Sequence, residues 1–317
     1  MIAAVLFIIF NKPKTTQMVF EAIRLAKPTR LYIAADGARK NRCGEEELCE
    51  QTRKIVQNID WDCEVKTLFQ KENLGCGKAV SHAISWFFEH EEMGIILEDD
   101  CLPHQSFFEY CEELLEKYKD NDKIGIISGN NFQMERKIGD SSYYFSDIMN
   151  IWGWATWSRC WNDFKLNVNE LNENSLLNEM KKRFQEKKYN DFWIKIYEKM
   201  KKFEIDSWAY PFYFSQIAKN RIFIDPNVNL VSNIGFGDIN ATHTLNEQSP
   251  DANVPVQEME FPLKHPMEIL TNNEADKFIL NNIYGLQKKP LLKRIINKIQ
   301  RIQKIVKDLL NFHKCLK

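Results

Sequence analysis

A chain of 317 residues, 44% of them apolar, is long enough to bury one large α/β core or two smaller ones. Its net charge of -1 gives no overall electrostatic reason to expect nucleic acid as a partner. Eight cysteines without a CxxC pair, and with no histidine placed to complete a zinc site, argue against a zinc module and for reduced thiols in a cytoplasmic protein.

The apolar start lacks a basic n-region and a small-residue cleavage site and is too short to span a bilayer, so Ala3 to Phe10 reads as a first strand. Asn11-Lys-Pro breaks it before a helical pattern from Thr15 to Ala26. A second strand, Leu31 to Ala35, ends at Asp36-Gly37, where the carboxylate either accepts hydrogen bonds from a base or ribose or closes a plain Asp-Gly turn. A helix over residues 45–59, a strand over 64–69 and a helix over 79–89 follow. Between the last two, Gly75 and Gly77 flank Cys76 ahead of Lys78, a weak match to a phosphate-approaching loop that fits neither the P-loop nor the dinucleotide fingerprint.

The strand Gly94 to Leu97 then runs into Glu98, Asp99 and Asp100, and Ser106 with Glu109 three residues on predicts a capping box opening a helix from Phe107 to about Lys119. Three adjacent carboxylates repel one another, so the arrangement is costly unless a cation or hydrogen-bond donors offset it. Magnesium or manganese bridging Asp100 to a diphosphate suits such hard oxygen ligands. The bland alternative is a solvated turn. A strand at Ile124 to Ser128 completes an alternation that predicts a mainly parallel sheet flanked by helices, with ligand-facing residues after the strand ends.

Beyond Gly129 the alternation fades. Tyr143 to Ile148 reads as a strand, and four tryptophans between Trp152 and Trp161 read as a packing centre, a sugar or base platform around Gly153 and Trp154, or both. The charged helical stretch 169–202 reads as a surface excursion. Asp206 precedes the aromatic run Trp208 to Phe214, a setting that suits either a general base or a helix N-cap. Residues 233–244 mix glycines with His243, a second candidate metal ligand or a solvated loop histidine. From Lys288 ten Lys or Arg stand against one Asp, about +9, leaving about -10 for everything before. Apolar positions from Leu291 to Leu310 recur at helical spacing there, so residues 288–317 read as a basic amphipathic helix suited to an anionic membrane surface or to docking on protein. The expected organisation is a domain over 1–250, a linker or extension over 251–287, and this helix.

Taken together, the segments resemble the nucleotide-diphospho-sugar transferases of GT-A (Rossmann-like) fold, and most nearly the N-acetylglucosaminyltransferase I-like group. Ile95 to Asp100 with Phe107-Phe-Glu-Tyr looks like that family's acidic metal motif and following helix, Ser146 to Trp154 like its glycine-tryptophan loop, Asp206-Ser-Trp like its catalytic aspartate segment, and Ile234-Gly-Phe-Gly like the turn before its flexible loop. The resemblance runs from Ile2 to about His243. It implies a transferase moving sugar from a nucleoside diphosphate sugar, a UDP-sugar on the family pattern, to a hydroxyl of a glycan or glycolipid with inversion. It places Mn2+ or Mg2+ on Asp100, ribose and sugar hydroxyls on Glu98 and Asp99, the uracil on Asp36 and the base role on Asp206. Asn11 and Lys78 are assigned to the donor more loosely. A bacterial enzyme at the inner face of the cell membrane, making surface polysaccharide, is the corresponding expectation. The rival readings are a sugar nucleotidyltransferase, using a similar sheet but nucleoside triphosphate, and a membrane-active, haemolysin-like protein acting through its tail.

Overall fold

The computed structural model describes residues 2–237 and 249–287. His243 and the basic stretch 288–317 lie outside the described residues. In chain order the elements are β1 (Val5–Ile9), α1 (Pro13–Ala26), β2 (Arg30–Ala35), α2 (Glu45–Ile55), β3 (Glu64–Phe69), α3 (Cys76–Phe88), β4 (Met93–Glu98), β5 (Cys101–Pro103), α4 (Ser106–Lys117), β6 (Ile124–Ser128), β7 (Tyr143–Ser146), β8 (Trp154–Trp157), α5 (Ser158–Trp161), α6 (Glu173–Arg183), α7 (Lys187–Lys201), α8 (Ala209–Ala218), β9 (Ile222–Pro226), β10 (Val231–Asn233) and α9 (Asn273–Asn282).

The central sheet has eight strands in the order β3-β2-β1-β4-β8-β6-β9-β7. The parallel core expected from the sequence is there: β1 lies between β2 and β4, in register at Ile8↔Ala34 and Ile8↔Glu98. Chain order reverses at β1, so the crevice beyond its carboxyl end is the topological switch point where open α/β sheets take ligands. What the sequence did not predict is β8, which enters antiparallel between β4 and β6 and carries Trp154 into the middle of the sheet.

Alternation along the strands feeds two apolar layers. Leu6, Tyr32, Ala34 and Ile96 face α3, α7 and α8 through Ile84, Phe87, Trp193 and Phe212. Val5, Phe7, Ile33 and Leu97 face α1 and α4 through Phe20, Ile23, Phe108 and Leu114.

Two local expectations are corrected. The capping box at Ser106 does not form: α4 has no side-chain cap, and Ser106 Oγ instead meets His104 Nδ1 at 2.8 Å and accepts the Met259 amide at 2.9 Å. Residues 169–202 are no surface excursion, because Leu176, Met180, Trp193, Tyr197 and Met200 complete one core layer while most of the lysines between them stay in solvent. Residues 251–287, expected as a linker or extension, pack on the core. Met259 and Leu263 join one layer, and Ile279 and Leu280 of α9 join the other.

Candidate active site

A cavity of about 760 Å³ opens at the switch point, of the size that takes a small organic ligand. One wall is polar and comes from the carboxyl ends of β1, β2 and β4, with Asn11, Lys12, Asp36, Glu98, Asp99 and Asp100. The other is aromatic, with Trp152, Trp193, Trp208, Tyr210, Tyr213 and Tyr284, and Asp206 stands at its edge. Five of the expected site residues on strand ends, Asn11, Asp36, Glu98, Asp99 and Asp100, thus share one cavity with Asp206.

The acidic wall carries its own cation. Lys12 Nζ donates to Asp100 Oδ2 at 2.6 Å and lies 3.5 Å from Asp99 Oδ1. Burial works against the ammonium, but Asp99 and Asp100 outweigh it and hold Lys12 protonated well above the usual lysine range. Asp99 is further fixed by the Phe10 amide at 2.9 Å, and burial raises its carboxyl despite the opposing pull of Lys12. Burial, reinforced by Asp100 and partly offset by Lys12, pushes Glu98 up to about 8. Asn11 Nδ2 donates to buried Glu45 at 2.9 Å, whereas its Oδ1 is buried with no partner among the described residues. Such an orphan acceptor at a cavity wall is costly unless a ligand donor meets it.

Among the described residues the donor set does not fit a divalent ion held by protein ligands alone: Lys12 Nζ sits on Asp100 Oδ2, and no three His, Cys, Asp or Glu side chains converge as a metal group. Asp100 itself is hemmed in: a Cβ on Gly235 would run into its carboxylate, and the Ile234 amide bonds its carbonyl at 2.8 Å.

Asp36 lines the cavity, yet both its oxygens already accept from the β3–α3 loop. Gly37 N and Leu74 N lie 2.9 Å from Oδ1, and Asn73 Nδ2 and Gly75 N lie 2.8 and 3.2 Å from Oδ2. Burial raises its carboxyl, and the Leu74, Gly37 and Gly75 amides counter the rise. The carboxylate staples that loop to the end of β2.

Asp206 is a helix cap, but of α3 rather than of the helix that follows it. Its Oδ1 accepts the Gly77 amide at 3.0 Å, and a Cβ added at Gly75 would lie 3.3 Å from Oδ2. A side chain at Gly77 would press on the carboxylate, so glycine is needed there for close approach.

Three expected site residues fall elsewhere. Lys78 is exposed and off the cavity, because Cys76, Ala79, Val80 and Ala83 form the inward face of α3. Gly153 is buried against Val231 and Leu97 with a φ of 69°, and Trp154, 1% exposed, stacks on Trp208 at 5.5 Å; neither lines the cavity. The packing-centre reading describes Trp154, and the aromatic wall is formed by its neighbours Trp152 and Trp208.

The segment leading to that wall hangs on α9. Asp276 accepts Ser146 Oγ at 2.6 Å and the Asp147 amide at 3.0 Å, directly before Met149 to Trp152 of the cavity lining. Burial, with the charge of Asp147 adding and the Ser146 bond and Arg183 opposing, pushes Asp276 up from 3.8 to about 7. The folded state therefore holds a proton here that the unfolded chain releases between about pH 4 and 7, so stability falls as pH rises through that window, by at most about 1.4 kcal/mol per unit. Asp276→Asn cannot titrate. Thermal melts from pH 4.5 to 7.5 are expected to fall less steeply for the variant than for the native chain, and parallel curves would contradict the assignment.

No family model matches this chain, and no curated protein matches it. Among solved structures it is similar to a UDP-glucose pyrophosphorylase complexed with UDP-glucose (14% identity, 54% of this chain and 80% of the other, TM-score 0.34). It is also similar to mouse xyloside xylosyltransferase 1 in its apo form (10% identity, 70% and 83%, TM-score 0.33) and to HddC from Yersinia pseudotuberculosis (10% identity, 51% and 80%, TM-score 0.31). At these scores the likeness adds nothing to what the strand order itself shows. Among the described residues, no helix is long and apolar enough to cross a membrane.

Proposed function

We propose that this chain is a glycosyltransferase, moving a sugar from a nucleoside diphosphate sugar to a hydroxyl of a glycan or glycolipid, with inversion. The observation that carries the reading is that one cavity at the sheet switch point is lined by a charged wall, an aromatic wall and the exposed residue Asp206. The two walls suit the two halves of such a reaction. Asn11, Lys12, Glu98 and Asp99 offer acceptors and a cation to a nucleotide sugar with hydroxyls and a diphosphate, and the partly exposed rings of Trp152 and Tyr210 offer stacking area to an acceptor sugar.

In this mechanism the acceptor hydroxyl attacks the anomeric carbon as the bond from that carbon to the diphosphate oxygen breaks. Asp206 takes the hydroxyl proton, and its hydrogen bond from Gly77 fixes the orientation of the carboxylate. Asp36, which lines the cavity, is proposed to contact the uracil, and a UDP-sugar is the proposed donor class.

A thermal-shift panel of UDP-, GDP- and CDP-sugars tests the reading. A true donor at 100 times its Kd should stabilise the fold by about 2.7 kcal/mol, because only the native state binds it. A nucleotidyltransferase would instead be stabilised by nucleoside triphosphate and would release pyrophosphate from triphosphate and sugar phosphate. Release of pyrophosphate without transfer from any nucleotide sugar would sink the proposal.

A further inference from the structure

The cavity's polar wall holds a feature that the proposed reaction leaves without a metal to explain it. The basic side chains lining the cavity among the described residues are Lys12 and Arg39, and Arg39 is engaged by buried Glu45. Lys12 lies three residues past the end of β1, and its side chain is only 15% exposed. An ammonium has three N–H donors. Asp100 takes one at 2.6 Å and Asp99 lies at ion-pair distance, which leaves a donor for a cavity ligand. One further observation points the same way. Lys12 precedes the 14-residue helix α1, whose amino end favours anions. A divalent ion at Asp100 would first have to displace the ammonium.

Resting on the donor reading above, we propose that Lys12 replaces the divalent cation in this chain: its ammonium, anchored by Asp100 and Asp99, binds the donor diphosphate and meets the charge left on it. The electron pair of the breaking bond between the anomeric carbon and oxygen goes to the diphosphate oxygen beside Lys12. The acceptor oxygen forms the new bond, its proton goes to Asp206, and no oxidant, reductant or metal enters the balance. Asp100 is a positioning residue that holds Lys12 in place.

The experiment is calorimetric titration of the full-length, EDTA-treated protein with UDP, GDP and CDP and with the matching nucleosides, repeated with MnCl2 and with MgCl2. The tightest diphosphate is expected to bind in EDTA, and added metal should change its affinity by less than about twofold. Lys12→Met should weaken diphosphate binding about tenfold or more, the scale of one charge-assisted hydrogen bond, and leave nucleoside binding unchanged; Lys12→Arg should restore most of the loss. Should Lys12→Met fail to fold, with Asp99 and Asp100 left unpaired, the metal arm on the native chain decides. Diphosphate binding that requires Mn2+ or Mg2+, or that is indifferent to Lys12→Met, overturns the assignment while the donor reading stands. No binding of any nucleotide in any arm removes the donor reading, and this assignment with it.

Discussion

Asp206→Asn should lower transferase turnover by about 10²–10⁴-fold, the usual contribution of a positioned general base, while donor affinity stays within about twofold. Asparagine is the informative replacement because its side-chain oxygen still accepts the Gly77 amide, so the cap on α3 survives and only the proton acceptor is lost. Asp206→Ala confounds the two, since losing a cap costs on the order of 0.5–2 kcal/mol of stability. Measuring turnover and donor affinity side by side, with a thermal melt as control, separates chemistry from folding. Unchanged turnover in the asparagine variant would remove Asp206 from the reaction.

Trp154→Ala is expected to have the largest effect on stability, about 3–5 kcal/mol, the range for a fully buried tryptophan. The indole is 1% exposed at the centre of the sheet and packs on Trp208 at 5.5 Å and Phe212 at 5.4 Å. Its Nε1 has no partner among the described residues, so Trp154→Phe forfeits area but no hydrogen bond and should recover most of the loss. Denaturant midpoints give the two differences, provided the slope of the transition is unchanged. Because Trp208 lines the cavity beside Asp206, the alanine variant should also lose turnover below its melting range, and the phenylalanine variant should keep it. A stability loss in the alanine variant under 1 kcal/mol would contradict the packing role.

The parallel half of the sheet was legible because each strand is a short apolar run bounded by breakers, and because helical periodicity intervenes each time. The acidic cluster at a strand end was legible for the same reason. β8 was not: Trp154 to Trp157 carries no sign of its direction, and its place between β4 and β6 depends on partners far along the chain. The helices α6 and α7 looked superficial because Lys and Glu are interleaved with their apolar residues throughout, yet an apolar stripe sufficed to bury them. Lys12 was passed over as part of a turn before proline. A signal existed, since parallel strands β1 and β4 end side by side at Ile8 and Glu98, so a lysine just past one lies within reach of the carboxylates just past the other. Lys78 was preferred for its glycine-rich surroundings, but helical phase turns it to solvent. For Asp36 and Asp206 the sequence offered a structural and a functional role as rivals. The structure shows each carboxylate gripping backbone amides while lining the cavity.

Those two grips lie on one short piece of backbone: Asp36 holds the amides of Leu74 and Gly75, and Asp206 holds that of Gly77. Residues 74–77 therefore act as a spacer of fixed length between two otherwise distant parts of the chain. Lengthening it by a single residue would set the two carboxylates out of step even with every side chain of the cavity retained, so this loop has little freedom to vary in length.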